Sequence, residues 1–145
     1  MAGPQATCRT DRTPILTDMS DAEPGLSIGE VAERTGLSVH ALRFYEREGI
    51  FANTVQRGSD GRRRYTEDDV EWLTVCIVLR ASGMPIPTIR RYTELVREGT
   101  GNEKERLGIM RHHRDDVMAQ IARLTESLDL INYKVGVYED YLEEP

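Results

Sequence analysis

Apolar side chains recur every seven residues along the C-terminal third of the chain, and no other feature restricts the possible folds as strongly. Two interleaved series contain eleven positions, of which ten are apolar or aromatic and one is charged. This spacing is the pattern of a coiled-coil seam. The first series is Leu107, Arg114, Ile121, Leu128, Val135 and Leu142, and the second is Met110, Val117, Leu124, Ile131 and Tyr138. We therefore predict a coiled-coil helix over residues 103–145.

Such a helix needs a partner. About 35 helical residues extend on the order of 50 Å, which is too long for a small N-terminal domain to cover. A second copy of the same helix is the simplest partner, and we expect the two to run antiparallel. The alternative is a helix folded back on itself within one chain, although no helix breaker precedes Gly136. The predicted dimerisation residues are Leu107, Met110, Val117, Ile121, Leu124, Leu128, Ile131, Val135 and Tyr138.

Two short helices joined by a tight turn are predicted upstream. Ser27 and Glu30 have the spacing of a capping box, and Gly36 ends that helix after about two turns. Ser38 caps a second helix that runs to about Glu48. This arrangement is a helix-turn-helix, whose second helix usually enters the DNA major groove.

A basic β-hairpin is predicted to follow the second helix. Residues 58–61 place two glycines around Ser-Asp, which suits a hairpin turn, and three arginines follow at Arg62, Arg63 and Arg64. Because strand side chains alternate between faces, Arg62 and Arg64 should share one face and Arg63 the other. Such a hairpin beside a helix-turn-helix is a wing that could grip phosphates flanking the groove.

The predicted fold is mainly α, with a winged helix-turn-helix DNA-binding domain and a long antiparallel coiled-coil dimerisation helix. A third helix is capped by Thr66 and stops near residues 82–83, and a fourth runs from about Pro87 to Glu98 after a proline-containing connector. We predict a disordered tail over 1–25, the DNA-binding domain with its connector helices over 26–99, and the coiled coil over 103–145.

Charge is distributed unevenly, which bears on the partner. The net charge of −6 argues against nucleic acid as a partner, but residues 34–64 carry seven arginines against three acids, and residues 103–145 carry six basic and ten acidic side chains. Phosphate binding requires a local basic surface rather than a basic total. The chain has no long apolar span or secretion signal, so we expect a cytoplasmic protein. We also expect no enzyme, because no nucleophile–base pair, phosphate loop or metal triad is present.

Several segments, in order, resemble the MerR family of bacterial transcription regulators over residues 26 to about 142. They are Leu26-Ser27-Ile28-Gly29-Glu30-Val31-Ala32, Gly36-Leu37-Ser38, Leu42-Arg43-Phe44-Tyr45-Glu46-Arg47-Glu48-Gly49-Ile50, Arg63-Arg64-Tyr65 and the connector Gly83-Met84-Pro85-Ile86. The resemblance implies a homodimer that bends and untwists double-stranded promoter DNA, where it brings over-separated promoter elements into register for the RNA polymerase holoenzyme.

The same resemblance assigns roles by position. Arg43, Tyr45 and Arg63 would contact the DNA backbone, and His40 would face the groove; Arg62 departs from the aromatic residue frequent in the family. Tyr45 has an alternative role as a core aromatic beside Phe44, and Arg43 as an ordinary solvated charge. The full predicted DNA-binding set is His40, Arg43, Tyr45, Arg47, Arg62, Arg63, Arg64 and Tyr65.

The pattern is most similar to the small aldehyde- and electrophile-responsive branch of the family, which has no C-terminal effector domain. Some of those members carry a reactive cysteine at the position of Val78. This chain instead has Cys76, which is a candidate for effector sensing, although a buried structural role is the favoured interpretation. Trp72 and Tyr92 are further candidates for effector sensing, as walls of a ligand pocket. We expect neither a metal nor a cofactor, because residues 77–145 contain no cysteine and the adjacent His112 and His113 diverge on a helix.

A second class of function remains open. The chain could be a coiled-coil adaptor whose helix-turn-helix binds protein rather than DNA, but an adaptor has no need for a clustered basic wing. The effector, the operator sequence, the direction of regulation and the regulated genes leave no signature in the sequence.

Overall fold

The structure is a computed structural model that describes residues 25–145, so nearly all of the predicted N-terminal tail, with Cys8, lies outside the described residues. The described chain is mainly helical, as predicted. Its elements are α1 (Ile28–Thr35), α2 (Val39–Arg47), β1 (Gln56–Arg57), β2 (Arg63–Arg64), α3 (Glu67–Ala81), α4 (Ile86–Glu98) and α5 (Glu103–Glu143).

The predicted helix caps are present and define the helix-turn-helix. The backbone N–H of Glu30 donates to Ser27 Oγ at 3.2 Å, and the Glu30 carboxylate accepts from the Ser27 N–H at 3.3 Å. Gly36 ends α1 in the left-handed conformation, with φ of 75°, where a side chain would be strained. Ser38 caps α2 by accepting from the N–H of Ala41 at 3.0 Å. The turn between the helices is therefore set by local chemistry that the sequence displays.

Two buried apolar clusters hold the helices together. The first joins α1, α2, the base of the hairpin and α3, and consists of Val31, Leu42, Phe51, Tyr65, Val70 and Leu73. The second joins α3 and α4 and consists of Ile50, Trp72, Cys76, Leu79, Met84 and Ile89. Ile109 and Met110 of α5 pack against this second cluster. The start of α5 thus shares a core with the preceding helices, and the division at residues 99–103 stays a prediction.

The predicted hairpin is confirmed, but its strands are only two residues long. They pair antiparallel, with Gln56 opposite Arg64 and Arg57 opposite Arg63. Arg62 precedes the strand and belongs to the turn, where its N–H donates to Asp60 Oδ1 at 3.0 Å. Side-chain alternation applies only within a strand, so the face that Arg62 shares with Arg64 stays a prediction.

The long C-terminal helix forms without a break. α5 contains 41 residues, which corresponds to about 60 Å, so the alternative of a hairpin folded back within one chain is excluded. From Ile121 to the C-terminus, every residue except Gly136 is exposed in the single chain. Among the predicted dimerisation residues, Met110 and Val117 are partly buried and the others are exposed. None of the helices in the described part is both long and apolar enough to cross a membrane.

Candidate nucleic-acid interface

One face of α2 is exposed and carries the predicted groove-facing residues. His40, Arg43, Phe44 and Arg47 are all exposed, and their spacing of three, four and seven residues places them on one side of a helix. Leu42, on the opposite side, is fully buried in the first cluster. Within residues 25–145, Arg43 and Arg47 form no ion pair. Both guanidinium groups are therefore available to an external anion.

The hairpin presents a third available guanidinium in its turn. Arg62 is exposed and forms no ion pair among the described residues, although its charge acts on the nearby Asp60 carboxylate. Arg57 and Arg64 are instead used within the hairpin: Arg57 Nη1 donates to the carbonyl of Gly61 at 2.8 Å, and Arg64 Nη2 lies 3.4 Å from Asp60 Oδ2. The pKa of Asp60 is lowered, first because its carboxylate accepts from the Arg62 N–H and also through the nearby arginine charges.

Arg63 lies between the hairpin and α2 rather than on the open surface. Its Nε donates to Glu46 Oε2 at 2.5 Å, and both side chains are only 28% exposed. This ion pair ties the wing to α2, whose exposed face carries Arg43 and Arg47. Arg63 thus positions the wing relative to α2, and its guanidinium is less available to DNA than that of Arg62.

Tyr65 was predicted to bind DNA, and the structure shows that this prediction is wrong. It is fully buried, its backbone exchanges two hydrogen bonds of 2.8 Å with Leu26, and its ring lies 5.7 Å from that of Phe51. Burial is also the main cause of its raised pKa. A residue with no exposed surface cannot contact DNA without opening the first cluster, so Tyr65 is a core residue that anchors the returning strand.

The two aromatic residues of α2 have different environments. Tyr45 is half-buried and packs against both apolar clusters, which supports the alternative core role, and its contact with DNA stays a prediction. Phe44, whose ring centroid lies 5.8 Å from that of Tyr45, is 37% exposed. Sequence reasoning missed Phe44 as an interface candidate, although its spacing from His40 was the available signal. An exposed phenyl ring in a groove-facing position suits contact with a thymine methyl group.

Side chains of α3 and α4 donate hydrogen bonds to the segment that follows α2. Sequence reasoning also missed these contacts. Arg90 Nε donates to the carbonyl of Glu48 at 2.7 Å and its guanidinium pairs with the Glu48 carboxylate. Arg97 donates to the carbonyl of Phe51, and Trp72 Nε1 donates to the carbonyl of Ile50 at 2.5 Å. Residues 48–51 therefore have fixed backbone carbonyls, and the C-terminal end of α2 is anchored to the body.

The three candidates for effector sensing lie in or beside the second cluster. The rings of Trp72 and Tyr92 are stacked, with centroids 5.8 Å apart and an angle of 13° between their planes. Cys76 is 1% exposed, and burial raises the pKa of its thiol to about 12. Since the thiolate is the reactive form of cysteine, this environment favours the structural interpretation of Cys76.

We therefore expect Cys76 to resist alkylation in the folded protein. Relative to an ordinary thiol, a pKa near 12 lowers the thiolate fraction at neutral pH about a thousandfold, and burial blocks access as well. Maleimide labelling of a Cys8→Ser chain followed by mass spectrometry checks this: Cys76 should stay unmodified until urea is added.

Val78→Cys in a Cys8→Ser/Cys76→Ser chain is the matched control, because Val78 lies on the same helix and is 62% exposed. It should be labelled rapidly under native conditions. Labelling of Cys76 as fast as of this control would contradict the structural role.

Two family models match the chain. The model described as MerR HTH family regulatory protein covers residues 26–95, and the model described as MerR, DNA binding covers residues 70–132. Together they include α1 and α2, the hairpin, α3 and α4, and the first 30 residues of α5.

Comparison with individual proteins also indicates a transcription regulator of the MerR family. The chain is 37% identical over 110 residues to an uncharacterized HTH-type transcriptional regulator of Haemophilus influenzae, covering 76% of this chain and 81% of that protein. Among solved structures it is similar to HiNmlR, a MerR family regulator lacking the sensor domain, bound to promoter DNA (TM-score 0.72, 36% identity, 79% of this chain and 90% of that chain). It is also similar to a MerR family transcriptional regulator from Bacillus thuringiensis (TM-score 0.69, 28% identity, 78% and 98%).

Proposed function

The chain belongs to the MerR family of helix-turn-helix transcription regulators, and from that premise we propose that it binds promoter DNA as a homodimer through α2 and the hairpin. In this proposal the exposed face of α2 enters the major groove, and the wing contacts the flanking phosphates. The observation that carries it is a set of three exposed arginine side chains that form no ion pair with another described residue, Arg43, Arg47 and Arg62.

Electrostatics supports this assignment. Most arginines elsewhere in the described body are paired or donate to carbonyls, as Arg90 and Arg97 do, so the free guanidinium groups at this surface are not a general property of the chain. Arginine binds phosphate through charge-assisted hydrogen bonds. His40 and Phe44 lie on the same face of α2 and would supply contacts to base edges.

The proposed dimer explains how the protein would distort promoter DNA. Two copies joined through antiparallel α5 helices would hold two recognition helices at a fixed separation, so each would reach a groove only if the DNA adjusts its bend and twist. The energy of that adjustment depends on sequence. We propose that the distorted promoter is what RNA polymerase recognises, as the family resemblance implies, and that no ligand domain is required for DNA binding itself.

Binding to a fluorescent duplex from the gene's own upstream region, titrated against salt, tests the proposal. We expect tight binding relative to a random duplex of equal length, with an affinity that falls steeply as salt rises, because phosphate contacts release counterions. Energy transfer between dyes at the two duplex ends should increase on binding if the DNA bends.

Equal affinity for the upstream and random duplexes would reject the hypothesis that the protein regulates its own gene. Its binding sites would then be sought by genome-wide selection. Absence of binding sites in that selection would favour the protein-binding adaptor.

A further inference from the structure

Two side chains of α5 form hydrogen bonds with the residue that follows α3. Ser82 is the C-cap of α3; its Oγ lies 2.7 Å from His113 Nε2, and its carbonyl accepts from Gln120 Nε2 at 3.0 Å. His113 is 9% exposed, and it is the one residue of α5 that is buried in the described chain. We call Ser82, His113 and Gln120 the α3–α5 joint.

The hydrogen bonds around Ser82 determine which ring nitrogen of His113 carries a proton. Ser82 Oγ also lies 2.9 Å from the carbonyl oxygen of Val78 and 3.0 Å from that of Leu79. A carbonyl oxygen only accepts, so the single hydroxyl proton of Ser82 is directed to these two, and its oxygen accepts from His113 Nε2. Since His113 is the donor, a glutamine amide could replace it, whereas an apolar side chain could not.

The joint fixes the position of α5 along its own axis. His113 and Gln120 are seven residues apart, which places them on one face of the helix and about 10 Å apart along it. Both reach Ser82, so they converge on it from opposite directions, and movement of α5 either way would stretch one of the two hydrogen bonds. From Ile121 onward every residue except Gly136 is exposed. The joint is therefore the C-terminal limit of the attachment of α5 to its own DNA-binding unit.

The recognition helix is connected to the other side of this joint. Trp72 of α3 donates to the carbonyl of Ile50 at 2.5 Å, in the segment that follows α2, and α2 and α3 share the first cluster. We propose that His113 and Gln120 are positioning residues that fix the place of α5 against the end of α3, and thereby set the separation of the two recognition helices in the dimer. This inference rests on the proposed function and adds the residues that set its geometry.

Small displacements at the joint are large on the scale of DNA. Because the two copies are related by symmetry, a shift of α5 in each chain counts twice in the distance between the recognition helices. The rise per base pair is about 3.4 Å, so a shift of about 1.7 Å in each chain would change that distance by up to one base pair. Hydrogen bonds of 2.7 and 3.0 Å do not survive such a stretch. The joint thus opposes displacements that would change which operator spacing fits the dimer.

The first test measures the dimer without DNA. Spin labels are attached at Glu33→Cys in a Cys8→Ser chain, because Glu33 is exposed on α1 and lies outside the proposed DNA surface. Pulsed electron spin resonance should give one narrow distribution of distances between the two chains. In His113→Leu/Gln120→Leu we expect this distribution to shift or broaden by several ångströms, because α5 is no longer held along its axis. Light scattering restricts the comparison to dimers.

Three further variants separate the joint from a general effect of substitution. Ser82→Ala removes the hydroxyl from the other side of the contact and should reproduce the effect of losing His113. His113→Gln keeps an N–H donor and should retain the narrow distribution. His112→Leu is the matched control, because the His112 side chain is 82% exposed at the neighbouring position of the same helix, and it should behave as wild type.

The second test uses the bound site from the upstream duplex, with one base pair inserted or removed at its centre. Wild-type affinity should fall about tenfold for each altered duplex, because the DNA must deform further to reach both recognition helices. In His113→Leu/Gln120→Leu the difference between the three duplexes should shrink to about twofold, since the protein would adjust instead of the DNA. A purely structural loss would weaken binding to all three duplexes equally.

Either an unchanged distance distribution or an unchanged spacing preference in the dimeric double variant would overturn the proposal, and so would an equal effect in His112→Leu. The distance measurement uses no DNA. A shifted distance in a protein that fails to bind its promoter would therefore reject the DNA-binding proposal alone.

Discussion

Replacement of Arg43, Arg47 and Arg62 together by alanine is expected to weaken promoter binding by a factor of about a thousand or more at physiological salt. A hydrogen bond to a charged group contributes about 1.5–3 kcal/mol, so the three lost from one chain of the dimer alone give about 4.5 kcal/mol at the lower limit, where about 1.4 kcal/mol is a factor of ten. The three side chains are exposed and form no ion pair in the described residues, so their removal should leave the fold intact. Fluorescence anisotropy with the upstream duplex measures the change.

The salt dependence distinguishes lost phosphate contacts from general weakening. Each phosphate neutralised by a cationic side chain contributes about 0.9 to the slope of log affinity against log salt, so the slope should become shallower by about 2.7 per chain. A triple variant that binds less tightly with an unchanged slope would mean that these arginines do not contact phosphate.

Lys104→Ala/Arg111→Ala/Arg123→Ala serves as the matched control. It changes the net charge equally, and all three residues are exposed on α5, away from α2 and the hairpin. Affinity close to wild type is expected. A comparable loss in this control would show that total charge, rather than a defined surface, determines binding.

The parts of the fold that sequence reasoning predicted correctly depend on local chemistry. Ser27 with Glu30 and Ser38 cap their helices through residues three positions away, and Gly36 ends α1 because its positive φ suits glycine. The heptad series predicted α5 because a seven-residue repeat can be recognised in a single sequence, even when the partner helix is not known. In each case the residues that determine the structure are neighbours in the sequence.

The errors arose where distant contacts decide the role of a side chain. Arg62 and Arg63 are adjacent and chemically identical, but Arg63 pairs with Glu46 of α2, 17 positions away, whereas Arg62 forms no ion pair in the described chain. Tyr65 looked like part of a basic wing, but pairing with Leu26 turns it into the core. The Arg90 and Arg97 contacts to residues 48–51 likewise depend on the packing of α4, which no local pattern displays.

Replacement of Leu124 and Leu128 by aspartate is expected to convert the dimer into a monomer and reduce DNA affinity to that of non-specific binding. Both side chains are exposed in the single chain, at 70% and 52%, so the DNA-binding unit itself should remain folded. In the dimer they would occupy the seam, where four carboxylates would be desolvated without cationic partners, at several kcal/mol per group. Sedimentation equilibrium measures the assembly, and circular dichroism should show loss of helix from the C-terminal half of α5.

Ala122→Asp/Tyr133→Asp is the matched control, because it introduces the same charges on the same helix. It distinguishes an effect of charge at the seam from an effect of added negative charge anywhere on α5. Ala122 and Tyr133 lie off both heptad series, and Tyr133 is 66% exposed, so this variant should remain dimeric and bind the promoter normally. Two recognition helices held on one dimer act as linked binding sites, which is why losing the dimer costs far more affinity than losing one contact. If the seam variant stayed dimeric while the control dissociated, the chains would associate through the outer face of α5, and the assignment of the heptad seam would have to be abandoned.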